Sequence, residues 1–405
     1  MKKLLIVSQV YIPDTVSVGQ HLHDAASEMA RRGWGVKIIT SDRGFNDPAA
    51  RYSPFEVRDG VEITRLAFSS FGKSSIFSRV AGGLCFLAQA GRRLLFASNI
   101  SGILVSTSPP MAPAMALALH FFRRTPTIFW AMDINPDQAV AAGKFSPKSP
   151  AVIAFDNMNR LFLRRVRLVV ALDRFMAERL QKKYNLQAKI EVIPPWPMID
   201  EDRPPVEHKE NSFRKKHGLD SKFVVMYSGN FSIVHPITTI LKAAMKLQED
   251  PDFIFLFIGG GNGYPEIKDF VQKYRPKNIR LLPYQPLNAL HTSLSAADIH
   301  LVAMGDNMVG IVHPCKVYGA MAVARPILYL GPEPSHISDL IKTHRIGWHV
   351  NHGDVQQAVS CLREAKSKNR LELKSIGERA RKVAAEEFSR SRLRARFCDV
   401  MQSVL

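Results

Sequence analysis

Short apolar runs alternate with amphipathic segments along the first 193 residues of the chain. Residues 4–7 and 36–39 are apolar runs of strand length, and the segment 20–32 between them repeats apolar side chains at helical spacing. Gly33 follows where a left-handed cap would end a helix. This alternation is typical of βαβ units and predicts a parallel, doubly wound sheet. Further strands are expected at residues 61–68, 103–107, 127–130, 168–172 and 190–193.

The same alternation restarts after a break in the pattern. Residues 194–212 are rich in proline and charge and have no hydrophobic period, which is typical of an interdomain linker. Further apolar runs, at residues 224–229, 253–261, 279–284, 299–304 and 327–330, predict a second α/β sheet. We therefore expect a Rossmann-like domain over residues 1–196, a second over 197–385, and a basic helix over 386–405 that packs back towards the first domain.

A glycine-rich loop and a short helix, expected at residues 318–324, precede the last strand of the second sheet. Pro314 stands where a proline is tolerated in a first helical turn, so the backbone amides near Gly310 should point into open space at a positive helix end. Lys316 and His313 add side-chain cations at the same place. The stretch therefore predicts a phosphate site. The alternative is an ordinary loop-to-helix junction with a solvated lysine.

Two further loops are candidates for phosphate binding. Gly229 and Asn230 end a predicted strand, and His235 opens the helix that follows. In open parallel sheets, ligands bind at such strand ends. The glycine run 259–263, which includes Gly260, is weaker evidence, because it also fits a tight turn.

Composition excludes several classes of protein. The four cysteines are scattered without a CxxC pair, which favours a reducing compartment and no structural zinc. The triplet Asp200, Glu201, Asp202 resembles a metal-binding Asp-x-Asp, but it lies in the linker, so no metal is expected. No apolar stretch is long enough to span a bilayer, and the first apolar run is too short for a signal peptide.

Net charge is +19, and its distribution suggests the partner. No acidic residue occurs between Glu62 and Asp133, whereas seven cations do, among apolar side chains: Arg65, Lys73, Arg79, Arg92, Arg93, Arg123 and Arg124. This mixture predicts docking on an anionic membrane surface. Nucleic acid is not expected, since no nucleic-acid-binding motif accompanies the charge. The alternative is a pair of core helices whose arginines reach into water.

The sequence also carries a set of motifs that resembles glycosyltransferase family 4. The nearest branch is the bacterial surface-polysaccharide transferases similar to N-acetylfucosaminyl transferases. The motifs are YSGN (227–230), FIGGG (257–261), LPYQP (282–286), AADIHLV (296–302), HPCKVYGAMAVARPILYLG (313–331) and IGWHV (346–350), with SPP (108–110), MDINPDQA (132–139) and VIPPWPMID (192–200) in weaker form. The resemblance covers nearly the whole chain. It implies the GT-B fold, in which two Rossmann-like domains face each other across a cleft.

The resemblance further implies a nucleotide-sugar donor in the C-terminal domain, an acceptor in the N-terminal domain, retention at the anomeric carbon, and no metal. We expect Lys316, His313 and Asp133 to be catalytic. Asp133 would orient the acceptor hydroxyl or stabilise positive charge on the sugar, or else cap its own loop. Donor-binding residues are expected at Gly229, Asn230, His235, Gly260, Tyr284, Gln285, Gly310, Val312, Pro314 and Tyr318.

The chain also departs from the family pattern. Family members commonly carry two glutamates eight residues apart, one near the sugar and one on the ribose, but Ile311 and Gly319 stand at the matching positions. Asn230 and His235 replace a cation pair that typically binds the diphosphate. Lys316 would then supply the main charge.

The expected activity is a retaining transfer from a nucleotide sugar, UDP-linked, to a polyprenyl-linked or oligosaccharide acceptor. It would take place in the cytoplasm, on the inner face of the cell membrane. Two alternatives share the architecture: a nucleotide-sugar epimerase, and a protein that binds a nucleotide sugar or glycan without turning it over.

Overall fold

The computed structural model describes residues 2–14, 16–44, 49–69, 71, 76–200 and 202–405, and gives the backbone alone for 76, 77 and 79. Contacts divide the chain into two compact units. Unit 1 contains Met1–Pro194, Gly310–His313 and Ser391–Leu405, and unit 2 contains Pro195–Val309 and Pro314–Arg390. Two short pieces of the second half therefore belong to unit 1. The sequence prediction placed the boundary at residue 196, and the contacts divide the chain after Pro194.

Unit 1 is built on one eight-stranded sheet. Its strands are β1 (Lys3–Val7), β2 (Gly35–Ser41), β3 (Phe55–Arg58), β4 (Val61–Leu66), β5 (Gly102–Ser106), β6 (Thr127–Ala131), β7 (Leu168–Ala171) and β8 (Lys189–Val192). The helices between them are α1 (Ser17–Arg31), α2 (Ile76–Phe96), α3 (Ala112–Arg123), α4 (Asp137–Ala141), α5 (Pro150–Leu163) and α6 (Arg174–Tyr184). The strand order is β3-β4-β2-β1-β5-β6-β7-β8. The order reverses between β1 and β5, as in a doubly wound sheet.

Strand β3 is an element that the sequence pattern did not predict. It pairs antiparallel with β4, whereas the other neighbours in this sheet are parallel. Asp59 and Gly60 form the turn between β3 and β4, both with positive φ, and an Asp-Gly pair favours such a hairpin. An antiparallel edge strand on a parallel sheet is a common arrangement.

Unit 2 is built on a six-stranded parallel sheet. Its strands are β9 (Phe223–Asn230), β10 (Phe253–Gly260), β11 (Ile279–Leu282), β12 (Ile299–Ala303), β13 (Ile327–Leu330) and β14 (Gly347–Val350). Its helices are α7 (Ser212–Lys216), α8 (Thr238–Lys246), α9 (Tyr264–Tyr274), α10 (Leu290–Ser295), α11 (Lys316–Ala322), α12 (His336–His344), α13 (Val355–Ser367) and α14 (Arg370–Glu387). The order β11-β10-β9-β12-β13-β14 reverses between β9 and β12. Both predicted sheets are thus present and doubly wound.

Each sheet is buried on both faces. In β9, Val225 and Tyr227 join one apolar cluster, while Val224 and Met226 join another. Successive side chains of a strand point to opposite faces, so the two clusters cover the two sides of the sheet. This double burial explains why the strands read as continuous apolar runs.

The last helix, α15 (Arg390–Val404), packs in unit 1. The ring of Phe397 lies 4.2 Å from that of Trp130 in β6, measured between centroids. Arg32, just after α1, donates to Asp399 at 2.6 Å. None of the helices in the described part of the chain combines the length and apolar character that a membrane span needs.

Candidate active site

The loops after β9 and β12 meet where the strand order of unit 2 reverses. The amide of Gly305, after β12, donates to the carbonyl of Val234, after β9, at 2.9 Å. A reversal of strand order leaves a crevice at the carboxyl ends of the strands, and ligands of open α/β sheets bind there. The predicted donor residues can therefore be judged by whether they lie at this edge.

Lys316 is the cation at this edge of unit 2. Its side chain is half-buried, and its Nζ lies 5.0 Å from the centre of the Tyr227 ring. Burial lowers the pKa of Lys316, but the Tyr227 phenol, with Cys315 and Tyr284, raises that pKa by more, so the amine stays protonated at neutral pH. Among the described residues, no carboxylate forms an ion pair with it. The ammonium can therefore meet an anionic ligand.

Gly229 provides the space in which the Lys316 side chain lies. A Cβ on Gly229 would be only 2.8 Å from Cε of Lys316, and the backbone there has φ +130°, which disfavours other residues. Tyr227, below the lysine, is fully buried, and its hydroxyl donates to the carbonyl of Asn230 at 3.1 Å. Tyr227 was not predicted as a site residue, although it opens the YSGN motif. The structure thus brings Lys316, Gly229 and Asn230 together.

His235 lies beside Lys316, but it is not a second cation. Burial, reinforced by the Lys316 ammonium, lowers the pKa of His235 to about 3, against a backbone hydrogen bond with Ala303. The imidazole is therefore neutral at physiological pH. Within the described part of the chain, its Nδ1 is buried without a hydrogen-bond partner. His235 can offer a ligand a hydrogen bond but no charge.

Tyr284 and Gly260 form the flank of the same edge. The Tyr284 hydroxyl donates to the carbonyl of Gly260 at 3.0 Å, and a Cβ on Gly260 would lie 3.2 Å from the ring. Tyr284 is exposed on its other side. The Gln285 amide donates to the carbonyl of Pro283 at 2.9 Å, within its own loop. Tyr284 and Gly260 therefore lie together, whereas the side chain of Gln285 bonds within its own loop.

The short helix α11 differs from its prediction. It begins at Lys316 with Cys315 as N-cap, so Pro314 precedes the helix instead of occupying its first turn. With seven residues, α11 makes fewer than two turns, so the lysine side chain matters more than the helix end. Tyr318 is fully buried, and its hydroxyl pairs with Nε2 of His336 at 3.0 Å. The structure assigns Tyr318 to the core instead of the donor site.

Gly310, Ile311, Val312 and His313 belong to unit 1, whereas Lys316 belongs to unit 2. The His313 ring is buried, and its Nδ1–H donates to Oδ2 of Asp173 at 2.7 Å. Its expected role as a diphosphate cation beside Lys316 is therefore replaced by a buried pairing with a carboxylate. Asp173 was not predicted, although its place directly before α6 marks it as an N-cap residue.

Asp133 lies at the carboxyl end of β6 in unit 1, as predicted. It lines a small cavity that also contacts Thr107, Asn135, Asn159 and Tyr184. Burial raises the pKa of Asp133 to about 6. The carboxyl group therefore titrates close to neutrality, where a group that exchanges a proton with a substrate hydroxyl is most effective.

The two positions where the family carries glutamates hold no polar side chain. Ile311 is buried in unit 1, and its carbonyl accepts the amide of Ile134 at 2.9 Å. A Cβ on Gly319 would meet Leu294 at 3.4 Å, which is close to ordinary van der Waals contact. Neither position can hold a ribose or sugar hydroxyl with a carboxylate.

No three His, Cys, Asp or Glu side chains come together as metal ligands could anywhere in the described ranges. Asp200 accepts the amide of Asp202 at 3.1 Å in a local turn, and Glu201 lies outside the described residues.

The basic surface predicted for residues 63–132 is present only in part. Arg65 is buried and donates to the carbonyls of Ser53 and Ile12 and to Glu56, so it cannot reach a membrane. Of the apolar side chains in this span, Phe86 and Leu94 of α2 are core residues and contribute nothing to the surface. Lys73 and the side chains of Ile76, Phe77 and Arg79 lie outside what the structure describes.

Family models match both halves of the chain. Residues 17–196 match a glycosyl transferase 4-like domain, and residues 209–383 match the glycosyl transferases group 1. The chain belongs to the glycosyltransferases. A probable glycosyltransferase of Pseudomonas aeruginosa, WbjE, is 25% identical over 96% of this chain and 95% of its own. A protein of Escherichia coli K12 named as a colanic acid biosynthesis glycosyl transferase, WcaI, is 24% identical over 90% of this chain and 92% of its own.

Solved structures show that this glycosyltransferase has the GT-B fold. Sucrose-phosphate synthase from Thermosynechococcus elongatus superposes with a TM-score of 0.79 and 13% identity, over 100% of this chain and 99% of that one. HepE of Anabaena, in complex with UDP-glucose, gives a TM-score of 0.72 and 14% identity, over 100% of both chains. WaaG, a glycosyltransferase involved in lipopolysaccharide biosynthesis, gives a TM-score of 0.71 and 15% identity, over 98% of this chain and 99% of that one. In a glycosyltransferase, a cation such as Lys316 can stabilise the diphosphate that departs from the sugar.

Proposed function

We propose that this glycosyltransferase moves a sugar from a UDP-linked donor, with retention at the anomeric carbon, to a lipid-linked or oligosaccharide acceptor in surface polysaccharide biosynthesis. The observation that carries the proposal is the Lys316 ammonium, held by Tyr227 and Gly229 where the sheet order of unit 2 reverses. The WcaI name, which refers to colanic acid, supports the polysaccharide role. The UDP-glucose complex of HepE supports the donor class.

The proposed reaction needs one leaving group and one proton acceptor. As the bond between the anomeric carbon and the diphosphate oxygen breaks, negative charge grows on the phosphate, and Lys316 stabilises it. The released phosphate oxygen takes the proton of the acceptor hydroxyl as that oxygen bonds to the anomeric carbon. Asn230 and the neutral His235 contribute hydrogen bonds, and Asp133 acts on the acceptor. In this scheme a protein side chain supplies the positive charge, the leaving phosphate accepts the proton, and no metal ion is needed.

The decisive experiment compares Lys316→Ala with Lys273→Ala, using a panel of nucleotide sugars with and without acceptor. Lys273 is a matched control, because its Nζ also lies 5.1 Å from a tyrosine ring but on the exposed end of α9. We expect kcat to fall about a hundredfold or more in Lys316→Ala and to stay unchanged in the control. Unchanged kinetics in both variants would exclude the diphosphate role of Lys316.

The same panel separates the competing activities. Transfer consumes the donor only when an acceptor is present, whereas an epimerase converts the nucleotide sugar alone. A binding protein consumes nothing, yet it is stabilised against heat by its ligand, by about 2.7 kcal/mol at one hundred times Kd.

We also propose that unit 1 docks on an anionic membrane, where a lipid-linked acceptor would present its sugar. Helix α2 supports this, because it buries one face in the core and exposes Val80, Leu84 and Leu95 along the other. Together with the exposed Arg92, they follow one another at spacings of four, eight and three residues, so they lie on one side of the helix and form one stripe. An apolar stripe with arginines suits the boundary between lipid headgroups and acyl chains.

Aromatic side chains and further cations extend this surface. Phe96, Phe121 and Phe122 are exposed by 82%, 63% and 75%, at the C-terminal ends of α2 and α3. The Arg123 guanidinium donates to the carbonyls of Leu95 and Ala97, which fixes the two helix ends side by side. The exposed arginines at the ends of these two helices include Arg92, Arg93 and Arg124, and the Arg165 guanidinium lies 5.2 Å from the centre of the Phe121 ring. Each cation close to an anionic surface contributes about 1 kcal/mol, so about five engaged together suffice for reversible attachment.

A further inference from the structure

Four residues from the second half of the chain, Gly310–His313, are built into unit 1. We call this segment the strap. On one side, the carbonyl of Ile311 accepts the amide of Ile134 at 2.9 Å, directly next to Asp133. On the other side, Gly310 has φ +69°, and a Cβ there would come within 2.6 Å of the carbonyl oxygen of Phe175. The strap thus lies between the loop that carries Asp133 and the start of α6.

One buried hydrogen bond fixes the end of the strap. The Nδ1–H of His313 donates to Oδ2 of Asp173 at 2.7 Å, and the two side chains are 0% and 4% exposed. The other oxygen of Asp173 accepts the amide of Met176 at 2.8 Å and caps α6. Because both carboxylate oxygens are engaged, Asp173 holds the imidazole in one orientation and one tautomer. Breaking such a buried pair is costly, since it leaves a polar group unsatisfied.

We infer that Asp173 and His313 are positioning residues for Asp133: their hydrogen bond holds the strap, and the strap holds the loop that carries Asp133. This inference rests on the proposed acceptor-side role of Asp133. The loop has a second anchor, because the Asn159 amide donates to the carbonyl of Asn135 at 2.6 Å. With one anchor on each side, the backbone around Asp133 is fixed, which is what a group that must meet a substrate hydroxyl requires.

Release of the loop from the strap would also change how far water reaches the Asp133 carboxyl group. Burial alone raises the pKa of Asp133. If the strap detaches, water reaches the carboxyl group, the charged form is better solvated, and the pKa falls back towards its ordinary value. The acid limb of the pH–rate profile should therefore report on the strap.

The test uses Asp173→Ser, because serine still caps a helix but is too short to reach His313. The control is Asp354→Ser: Asp354 caps α13 in the same way, accepting the amide of Gln357 at 2.8 Å. Amide hydrogen exchange is measured by mass spectrometry on the intact protein. We expect exchange over residues 132–138 to accelerate about tenfold or more in Asp173→Ser and to stay unchanged in Asp354→Ser. Asp173→Asn, which can bond the other tautomer of the ring, should restore most of the protection.

Unchanged exchange over residues 132–138 in Asp173→Ser would overturn the inference. Faster exchange throughout unit 1 would overturn it as well, since that would mean a general loss of stability. Turnover with saturating donor supplies the second readout: the acid limb should move to lower pH in Asp173→Ser, and an unmoved limb would break the link to Asp133. Hydrogen exchange needs no activity. The proposed role of Asp133 can fail independently, if Asp133→Asn keeps full turnover.

Discussion

Three side chains at the two sites have charges that their surroundings set in different ways. Burial lowers the pKa of Lys316, but Tyr227, Cys315 and Tyr284 together raise it by more, so Lys316 stays protonated. His235, which lies beside Lys316, is neutral because burial and the charge of that lysine disfavour its charged form. Asp133 has no compensating partner, so burial alone raises its pKa to about 6. A cation for the diphosphate and a carboxyl group that titrates near neutrality are what the proposed transfer needs at its two ends.

We expect the ionised Asp133 carboxylate to lower the free energy of unfolding at the pH values at which the enzyme is proposed to use it. Its folded-state pKa, about 6, is above its ordinary 3.8. The folded state therefore favours the protonated form, and the stability present at low pH is lost as pH rises through about 6. We expect Asp133→Asn to raise the free energy of unfolding at pH 8 by up to about 3 kcal/mol, and to have little effect at pH 4.

Denaturant titration of wild type and Asp133→Asn at both pH values measures this difference. Turnover of the same variant should fall while donor binding persists, because Asp133 belongs to unit 1. Equal stability gains at pH 4 and pH 8 would show that the carboxyl group does not titrate as described. Loss of donor binding would contradict the division of donor and acceptor between the two units.

At the scale of elements, the sequence pattern located the strands well and the site residues unevenly. Buried strands such as β6 and β13 appear as continuous apolar runs because helices cover both faces of each sheet. β3 was missed because its side chains are mostly exposed and carry no apolar run. Lys316, Gly229 and Asn230 were predictable, since strand ends of one parallel sheet meet at one edge. The pairing of His313 with Asp173 was not, because the two residues are 140 positions apart.

The end of β9 offers a test of the space that Lys316 occupies. Gly229 and Gly353 both have positive φ, +130° and +88°, but only Gly229 has a neighbour within reach of an added Cβ. Alanine at either position should destabilise the fold by about 1 kcal/mol through backbone strain. Only Gly229→Ala should also displace the Lys316 side chain, so we expect a loss of turnover of about tenfold or more in that variant alone.

Thermal unfolding and steady-state kinetics on the two glycine variants separate these effects. Similar melting temperatures with different kcat would confirm that Gly229 acts through Lys316. Similar kcat in both variants would mean that Lys316 adopts its active position even when a side chain at Gly229 fills the space beside it.

For the whole molecule, we expect the exposed cations of unit 1 to bind the protein to anionic membranes. We expect sedimentation with phosphatidylglycerol vesicles at low salt, and release as salt is raised, because screening weakens contacts between exposed charges. The variant Arg92→Glu, Arg93→Glu should bind less. Lys268→Glu, Arg363→Glu makes the same change of charge at exposed positions of unit 2, and should bind like wild type. Binding to neutral vesicles as strong as to anionic ones, or no binding to either, would contradict membrane docking.

The return of α15 to unit 1 has a consequence for how the protein is made. The Trp130 ring is covered by Phe397, and Leu405 lies against Gly102, so the first unit is closed by residues that are translated after the whole second sheet. At about 5–20 residues per second, a ribosome needs roughly 10–40 s to get from Pro194 to Phe397. Until Phe397 is made, the nascent first unit leaves the Trp130 ring uncovered, whereas the last strand of the second sheet, β14, ends at Val350 and is made earlier. We therefore expect nascent unit 1, more than unit 2, to need protection by chaperones.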